Sequence, residues 1–195
     1  MQHAVIVAHP GDHSLSLAIA HAYVEAAHDR GHEAILRDLY RLNFDPCLRD
    51  EEIPRPSGFR PGEDVVAERE IIGKADAFVL IYPFWFNAPP AMLKGYVERV
   101  FGMGFGYGPI EGGRNAQLLL GRKLVSISTS GAPMEWIRKE GTWAAVRNLF
   151  DGHLADVCGL TVVDHLHFGG VLPDTPPATV AGWLEQVKQL VSRTF

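Results

Sequence analysis

The sequence predicts an α/β fold, a doubly wound five-stranded parallel sheet with helices on both faces. Two observations carry that expectation. Short apolar, β-branched runs alternate with longer segments of helical period, the pattern of successive βα units. The chain has 195 residues, 47% of them apolar, which is enough to bury one core and favours one domain over two. A single domain over residues 1–195 is therefore expected, without repeat, low-complexity tract or linker.

The elements follow in order. His3 to Ala8 reads as the first strand and Ser14 to Arg30 as the first helix, stopped by Gly31; Glu33 to Asp38 is the second strand. Between residues 41 and 63, Pro46, Pro54, Pro56 and Pro61 with Gly58 and Gly62 break any regular element and mark a long excursion of the kind that serves a site or a partner. Asp64 to Lys74 then reads as a helix, Ala77 to Tyr82 as the third strand, Ala91 to Phe101 as a helix and Lys123 to Thr129 as the fourth strand. In Thr142 to Cys158, Trp143, Val146, Leu149, Phe150, Leu154 and Val157 recur at helical spacing. Thr161 to Phe168 is the fifth strand and Ala178 to Arg193 the last helix. In such a sheet, ligands bind at the carboxyl ends of the strands, here just after Ala8, Tyr82, Thr129 and Phe168.

Composition removes several classes of function. A net charge of −5 and a pI near 6.0 argue against a nucleic-acid backbone or an anionic membrane as main partner, and no Lys/Arg run offsets them. The apolar run at Ala4 to Ala8 is too short for a signal-peptide core, and no stretch approaches the roughly 20 apolar residues of a membrane span. A soluble, cytoplasmic protein is expected. Cys47 and Cys158 lack any Cys-x-x-Cys or Cys/His ligand spacing, so they read as ordinary thiols of a reducing compartment, and no metal site is expected.

Four segments at the predicted strand ends have chemical potential. His9-Pro10-Gly11-Asp12-His13-Ser14-Leu15-Ser16 joins the first strand to the first helix. Free amides at a helix start, two hydroxyls and an imidazole suit a phosphate, although helix capping by Asp12 or Ser14 explains the segment equally well. It contains no Lys and is not a P-loop. Tyr82-Pro83-Phe84-Trp85-Phe86-Asn87-Ala88-Pro89-Pro90 sets consecutive aromatics between prolines, a stiff wall for a flat heteroaromatic ring; the competing reading is core packing. Ser128-Thr129-Ser130-Gly131-Ala132-Pro133 lets the backbone approach a ligand closely, or is an ordinary turn. In His165-Leu166-His167-Phe168-Gly169-Gly170 the two histidines share one strand face, which suits the lining of a polar cleft better than a metal, because only Asp164 stands beside them as a further ligand. No Gly-x-Ser-x-Gly elbow supports a hydrolase.

Taken together and in order, these segments resemble the NAD(P)H:quinone oxidoreductase family, the DT-diaphorase-like flavoproteins of flavodoxin-like fold. The resemblance runs nearly end to end. It is carried by Val5-Ile6-Val7-Ala8-His9-Pro10 with Ser14, by Asp38-Leu39-Tyr40 with Asn43-Phe44-Asp45-Pro46, and by Asp64-Val65-Val66-Ala67-Glu68. Its strongest part is Pro83-Phe84-Trp85-Phe86 through Pro90-Ala91-Met92-Leu93-Lys94-Gly95-Tyr96-Val97-Glu98-Arg99-Val100-Phe101. The resemblance implies that His9, Ser14, Leu15 and Ser16 hold a flavin pyrophosphate and that Pro83, Phe84, Trp85, Phe86 and Asn87 line the isoalloxazine. It further implies Thr129, Ser130 and Gly131 at the pyrimidine edge and Glu98 near the adenosine half of FAD.

The implied activity is a ping-pong, two-electron transfer from NADH or NADPH through FAD, with FMN as the alternative, to a quinone or similar flat acceptor. The family also implies a homodimer. Phe105 and Tyr107, on the glycine-rich stretch 102–113, would then face the partner's flavin, and with Trp136 and Phe168 are the residues expected to meet the acceptor. The chain departs from the family in three ways. Trp136 stands where a relay tyrosine is expected, with no histidine between residues 132 and 152, so no acid or base is assigned. The FAD-binding arginine is missing between Pro173 and Gly182, and Ser130-Gly131 replaces a glycine pair. Two rivals remain at this level: a flavodoxin-type electron carrier, and a flavin-binding regulatory subunit of a transporter.

Overall fold

Five parallel strands, β1 (Gln2–Val7), β2 (Glu33–Asp38), β3 (Ala77–Pro83), β6 (Lys123–Thr129) and β7 (Thr161–Phe168), make one sheet in the order β2-β1-β3-β6-β7. The computed structural model describes residues 1–111 and 114–195. Strand β3 lies at the centre, and all seven of its residues are buried, because in a sheet covered on both faces each side of the pleat meets helices. Alternation divides the core accordingly. Val5, Val7, Val79, Ile81, Val125 and Ile127 pack against Ile19 and Tyr23 of α1 (Leu15–Asp29) and Val187 and Leu190 of α7 (Pro177–Thr194). Ala4, Ile6, Phe78, Leu80, Tyr82 and Leu124 face Val65 and Ile72 of α2 (Glu63–Ile72) and Leu93 and Tyr96 of α3 (Ala91–Val100).

The excursion after β2 is held down by charge. Arg99 of α3, with a fully buried side chain, donates to both oxygens of Glu52 at 2.8 and 2.9 Å and to Asp64 at 2.7 and 2.9 Å. Burial alone would raise the Glu52 carboxyl, but the guanidinium and the amides of Arg49 and Gly62 bring it down to about 2. Gly95 lets α3 lie directly on this excursion, since a Cβ there would sit 2.1 Å from the Pro46 carbonyl oxygen.

Three features depart from the sequence-based expectation. Within the glycine-rich stretch, Tyr107–Glu111 (β4) and Arg114–Gln117 (β5) form an antiparallel hairpin; residues 112 and 113 of the stretch lie outside the described residues. A short helix, α4 (Met134–Lys139), follows β6. The expected helix over 142–158 is three pieces, α5 (Thr142–Val146), a π-helical turn over Arg147–Gly152 and α6 (His153–Cys158). Within the π turn Phe150 and Asp151 are both buried.

Candidate active site

The carboxyl ends of β1, β3 and β6 converge on a cavity of about 260 Å³ lined by His9, Ser14, Leu15, Ser16, Pro83, Phe84, Trp85, Thr129, Ser130, Gly131 and Val171. It lies at the switch point of the sheet, where β2 and β3 leave β1 on opposite sides. Larger cavities exist elsewhere among the described residues. One of about 640 Å³ lies between the 41–63 excursion and α2, lined by charges such as Arg37 and Glu68 that already pair with each other, and one of about 650 Å³ is a groove between α1 and α7. The first flanks the end of the edge strand β2, away from the switch point, and the second lies on the helices.

Each wall follows from its local chain. Ser14 is the N-cap of α1, its Oγ accepting from the Leu17 amide at 3.2 Å, so the sequence alternatives of capping and ligand binding meet in one residue. The next amides, of Leu15 and Ser16, belong to the first helical turn and have no acceptor within the helix. Ser16 is only 1% exposed, yet it lines the cavity. The Gly11 amide donates to His9 Nδ1 at 3.0 Å, which leaves Nε2 to carry the ring proton; burial is the main cause that lowers the His9 pKa and keeps the ring neutral. Helix start, hydroxyls and N–H donor together suit a phosphate.

The aromatic wall is a tight turn. Trp85 and Ala88 exchange backbone hydrogen bonds of 3.0 and 3.1 Å, and between them Phe86 and Asn87 hold φ of 51° and 57°. Two successive positive φ values are the primed-turn geometry, which suits Asn but strains a bulky residue such as Phe86 by roughly 1–3 kcal/mol. The Phe86 ring is fully exposed and Trp85 is 42% exposed beside His9, ring centroids 5.8 Å apart. A strained turn that places two aromatics in solvent, of which Trp85 lines the cavity and Phe86 does not, favours ligand contact over core packing. Phe84 is the inward anchor, 8% exposed, with its amide bonded to the Thr129 carbonyl at 2.7 Å.

Behind the third wall lies a polar network of which the sequence shows only parts. Ser126 and Ser128 of β6 stand in register with His165 and His167 of β7. His165 Nδ1 meets Asp151 Oδ2 at 2.5 Å and its Nε2 meets Ser128 Oγ at 2.7 Å. Ser128 Oγ meets His167 Nδ1 at 2.8 Å, and His167 Nε2 meets Ser130 Oγ at 2.9 Å. Burial, then the neighbouring His165, bring His167 down to about 4. The two histidines do share one face, but they form this buried network instead of lining a cleft. Asp151 has no signal of its own in the sequence; the alternation of Ser126, Ser128, Ser130 against His165, His167 is the pattern that betrays the rest.

Several expected site residues lie apart from the cavity. Phe105 is half-buried and packs against Phe78 and Phe101, with ring centroids 6.2 and 5.8 Å away, beneath the Arg69 guanidinium and apart from the cavity. Phe168 is 3% exposed and stacked on Trp183 at 5.5 Å, because β7 turns its ring toward α7; only its carbonyl, which accepts from the Ser130 amide, supports the site. Trp136 is 64% exposed on α4 and does not line the cavity. Glu98 pairs with Lys94 along α3 and, with Tyr107, lines a separate cleft of about 100 Å³. Asn87 lines an adjoining cavity with Lys94, Val146 and Phe150. Among the described residues no group of His, Cys, Asp and Glu is arranged to hold a metal, and no helix is long and apolar enough to cross a membrane.

A parallel sheet in this order, with a phosphate-suited helix start and an aromatic wall at its switch point, defines a nucleotide-binding α/β protein of the flavodoxin type. The chain belongs to the flavodoxin-like fold family, whose model matches residues 1–191. It is 32% identical to an uncharacterized NAD(P)H oxidoreductase of Haemophilus influenzae over 88% of this chain and 85% of that one. It is 26% identical to NAD(P)H dehydrogenase [quinone] 1 of Cavia porcellus over 97% and 77% of the two chains. Among solved structures, the NAD(P)H:quinone oxidoreductase from Methanothermobacter marburgensis superposes with a TM-score of 0.85 at 29% identity, covering 98% of this chain and 94% of the other.

Proposed function

We propose that this protein is a flavin-dependent NAD(P)H:quinone oxidoreductase. The observation that carries the reading is the convergence of three strand-end segments on one cavity, each suited to a different part of a flavin: phosphate donors, an aromatic wall and a polar edge. The amides of Leu15 and Ser16, the Ser16 hydroxyl and His9 Nε2–H are the groups that would hold the phosphate. Phe84 and Trp85 would support the ring plane, and Thr129, Ser130 and Gly131 would bond its polar edge. Bound there, a flavin supplies the hydride chemistry. The chain's own part is to orient two flat rings in succession, with Phe86 and Trp85 excluding water from the outer one.

The flavin is proposed as FAD, with FMN the alternative, and the reductant as NADPH or NADH. A cavity of about 260 Å³ is below the roughly 300–1,000 Å³ usual for small-molecule sites, which fits completion of the site by a second copy in a cytoplasmic homodimer. Exposed Trp136, Leu149 and Phe86 offer apolar surface for that contact. The acceptor is a quinone or a related flat compound, since an apolar slot distinguishes flat rings poorly. Steady-state NAD(P)H oxidation with a soluble quinone tests this reading. Turnover dependent on both substrates supports it; flavin binding without turnover supports an electron carrier or a regulatory subunit instead.

A further inference from the structure

A hydrogen-bonded chain, Asp151–His165–Ser128–His167–Ser130, links a fully buried carboxylate to Ser130, a residue of the cavity lining. We propose that this chain is a proton relay, which keeps one proton on the Asp151–His165 pair and delivers it through Ser128 and His167 to Ser130 at the cavity. The proposal rests on the flavin reading only for what receives the proton. Asp151 and His165 do not touch the cavity and act as positioning residues.

A Ser-His-Asp set invites a hydrolytic reading, which burial rules out. Ser128 is 0% exposed and shares its single oxygen between two imidazoles, so no substrate carbonyl reaches it. What remains is proton transfer along the chain.

Counting protons fixes the direction. Counting the bond from Ser130 Oγ to the Ala132 carbonyl, the chain has five contacts, each needing one hydrogen. With Asp151 ionised and both rings neutral, the two rings and two hydroxyls supply four hydrogens, and one of the five contacts goes without. One further proton fills all five: His165 then donates from both nitrogens, to Asp151 and Ser128; Ser128 donates to His167 Nδ1; His167 Nε2 donates to Ser130; and Ser130 donates to Ala132. All five contacts lie between 2.5 and 2.9 Å, the geometry of a chain in which each holds a hydrogen.

Unloading needs no movement of heavy atoms. The Ser130 O–H bond breaks toward an acceptor in the cavity and re-forms with the hydrogen of His167 Nε2. His167 Nδ1 takes the Ser128 hydrogen, and Ser128 takes the hydrogen of His165 Nε2. The end state is an Asp151 carboxylate with two neutral rings protonated at Nδ1; one proton and no electron has crossed. Two-electron reduction in the cavity creates negative charge beside Ser130, which this proton neutralises, and oxidation returns it.

The surroundings favour a closed relay. His165 and His167 face Ser126, Ser128 and Ser130 from β6 and its loop, Asp151 from the π turn, Tyr82 from β3 and Phe84 just after it, and Trp143 from α5, over which Arg147 lies at 5.8 Å. Asp164, the other charge on β7, pairs with Arg193 on the opposite face. His167, held neutral by burial, passes the proton and does not keep it. Ser126 bonds the second Asp151 oxygen at 2.7 Å and fixes the carboxylate.

Histidine ring ¹⁵N NMR of the full-length protein, with its flavin oxidised and then reduced anaerobically, tests the relay. The oxidised protein should show His165 protonated at both nitrogens and His167 as the Nε2–H tautomer; reduction should convert both rings to neutral Nδ1–H forms. Unchanged tautomers on reduction overturn the proposal. Asp151→Asn should abolish the switch while flavin content stays at the wild-type level. Should that variant not fold, Ser128→Ala is expected to leave His165 doubly protonated in both states, and a switch that survives it overturns the relay. A protein that takes up no flavin contradicts the proposed function, not the relay; the flavin-free protein must still show the loaded pattern, and any other pattern overturns it.

Discussion

Arg99 and Glu52, 47 residues apart, form a two-pronged ion pair with side chains only 0% and 4% exposed. The pair fastens the proline-rich excursion to α3, which directly follows the aromatic turn. Removing one partner of a buried pair leaves the other charge uncompensated. Glu52→Ala should therefore cost about 3 kcal/mol, moderated because Asp64 still holds Arg99. Urea unfolding measures the loss, and a change under about 0.5 kcal/mol would show the excursion to be held by other contacts.

Gly95→Ala should destabilise the protein by at least roughly 2 kcal/mol, since the added methyl meets the Pro46 backbone and not a side chain that can swing away. Gly31→Ala meets no such neighbour but must hold a φ of 75°, so its cost is conformational, about 1 kcal/mol. Thermal unfolding of the two variants ranks them.

Replacing Ser14 and Ser16 with alanine together should weaken flavin binding by roughly 1–3 kcal/mol, the scale of hydrogen bonds to a charged group. Because Ser14 also caps α1, the double variant should lose about 1 kcal/mol of stability as well, whereas Ser16→Ala alone should affect binding more than stability. Flavin titration at a temperature where both variants are folded separates the effects. Unchanged affinity in the double variant would reduce the segment to a helix cap.

Acid should destabilise the fold early. His3, buried and bonded to Tyr23 and His32, and His167 both have pKa values lowered from 6.5 to about 4, burial being the chief cause. Below about pH 6.5 the unfolded chain binds protons that the native histidines refuse, so stability is complete above that pH and falls as pH drops toward about 4. Each contributes up to roughly 3 kcal/mol. Denaturant midpoints at several pH values check the sign; a midpoint constant from pH 7 to 4 would contradict it.

The sheet was legible because short apolar, β-branched runs, clearest in Ala77 to Tyr82, alternate with segments of helical period. The cavity was legible because β1, β3 and β6 must end on one edge once their order is set, so that His9, Phe84 and Ser130 meet. The places of Phe105 and Phe168 are not set by their sequence neighbours alone: Phe105 packs on Phe78 beneath Arg69, and Phe168 stacks on Trp183 of α7. Asp151 was hidden because nothing in its own segment marks a lone carboxylate as the partner of His165, 14 residues on in another element. The β4–β5 hairpin was obscured by glycines that weaken any strand pattern.

The most direct test is the visible spectrum of the purified protein during titration with FAD and FMN, with chromatographic identification of the flavin released on denaturation. The account predicts a yellow protein carrying one flavin per chain, bleached by NADPH or NADH and recoloured by a soluble quinone. A colourless protein that takes up neither flavin would contradict it.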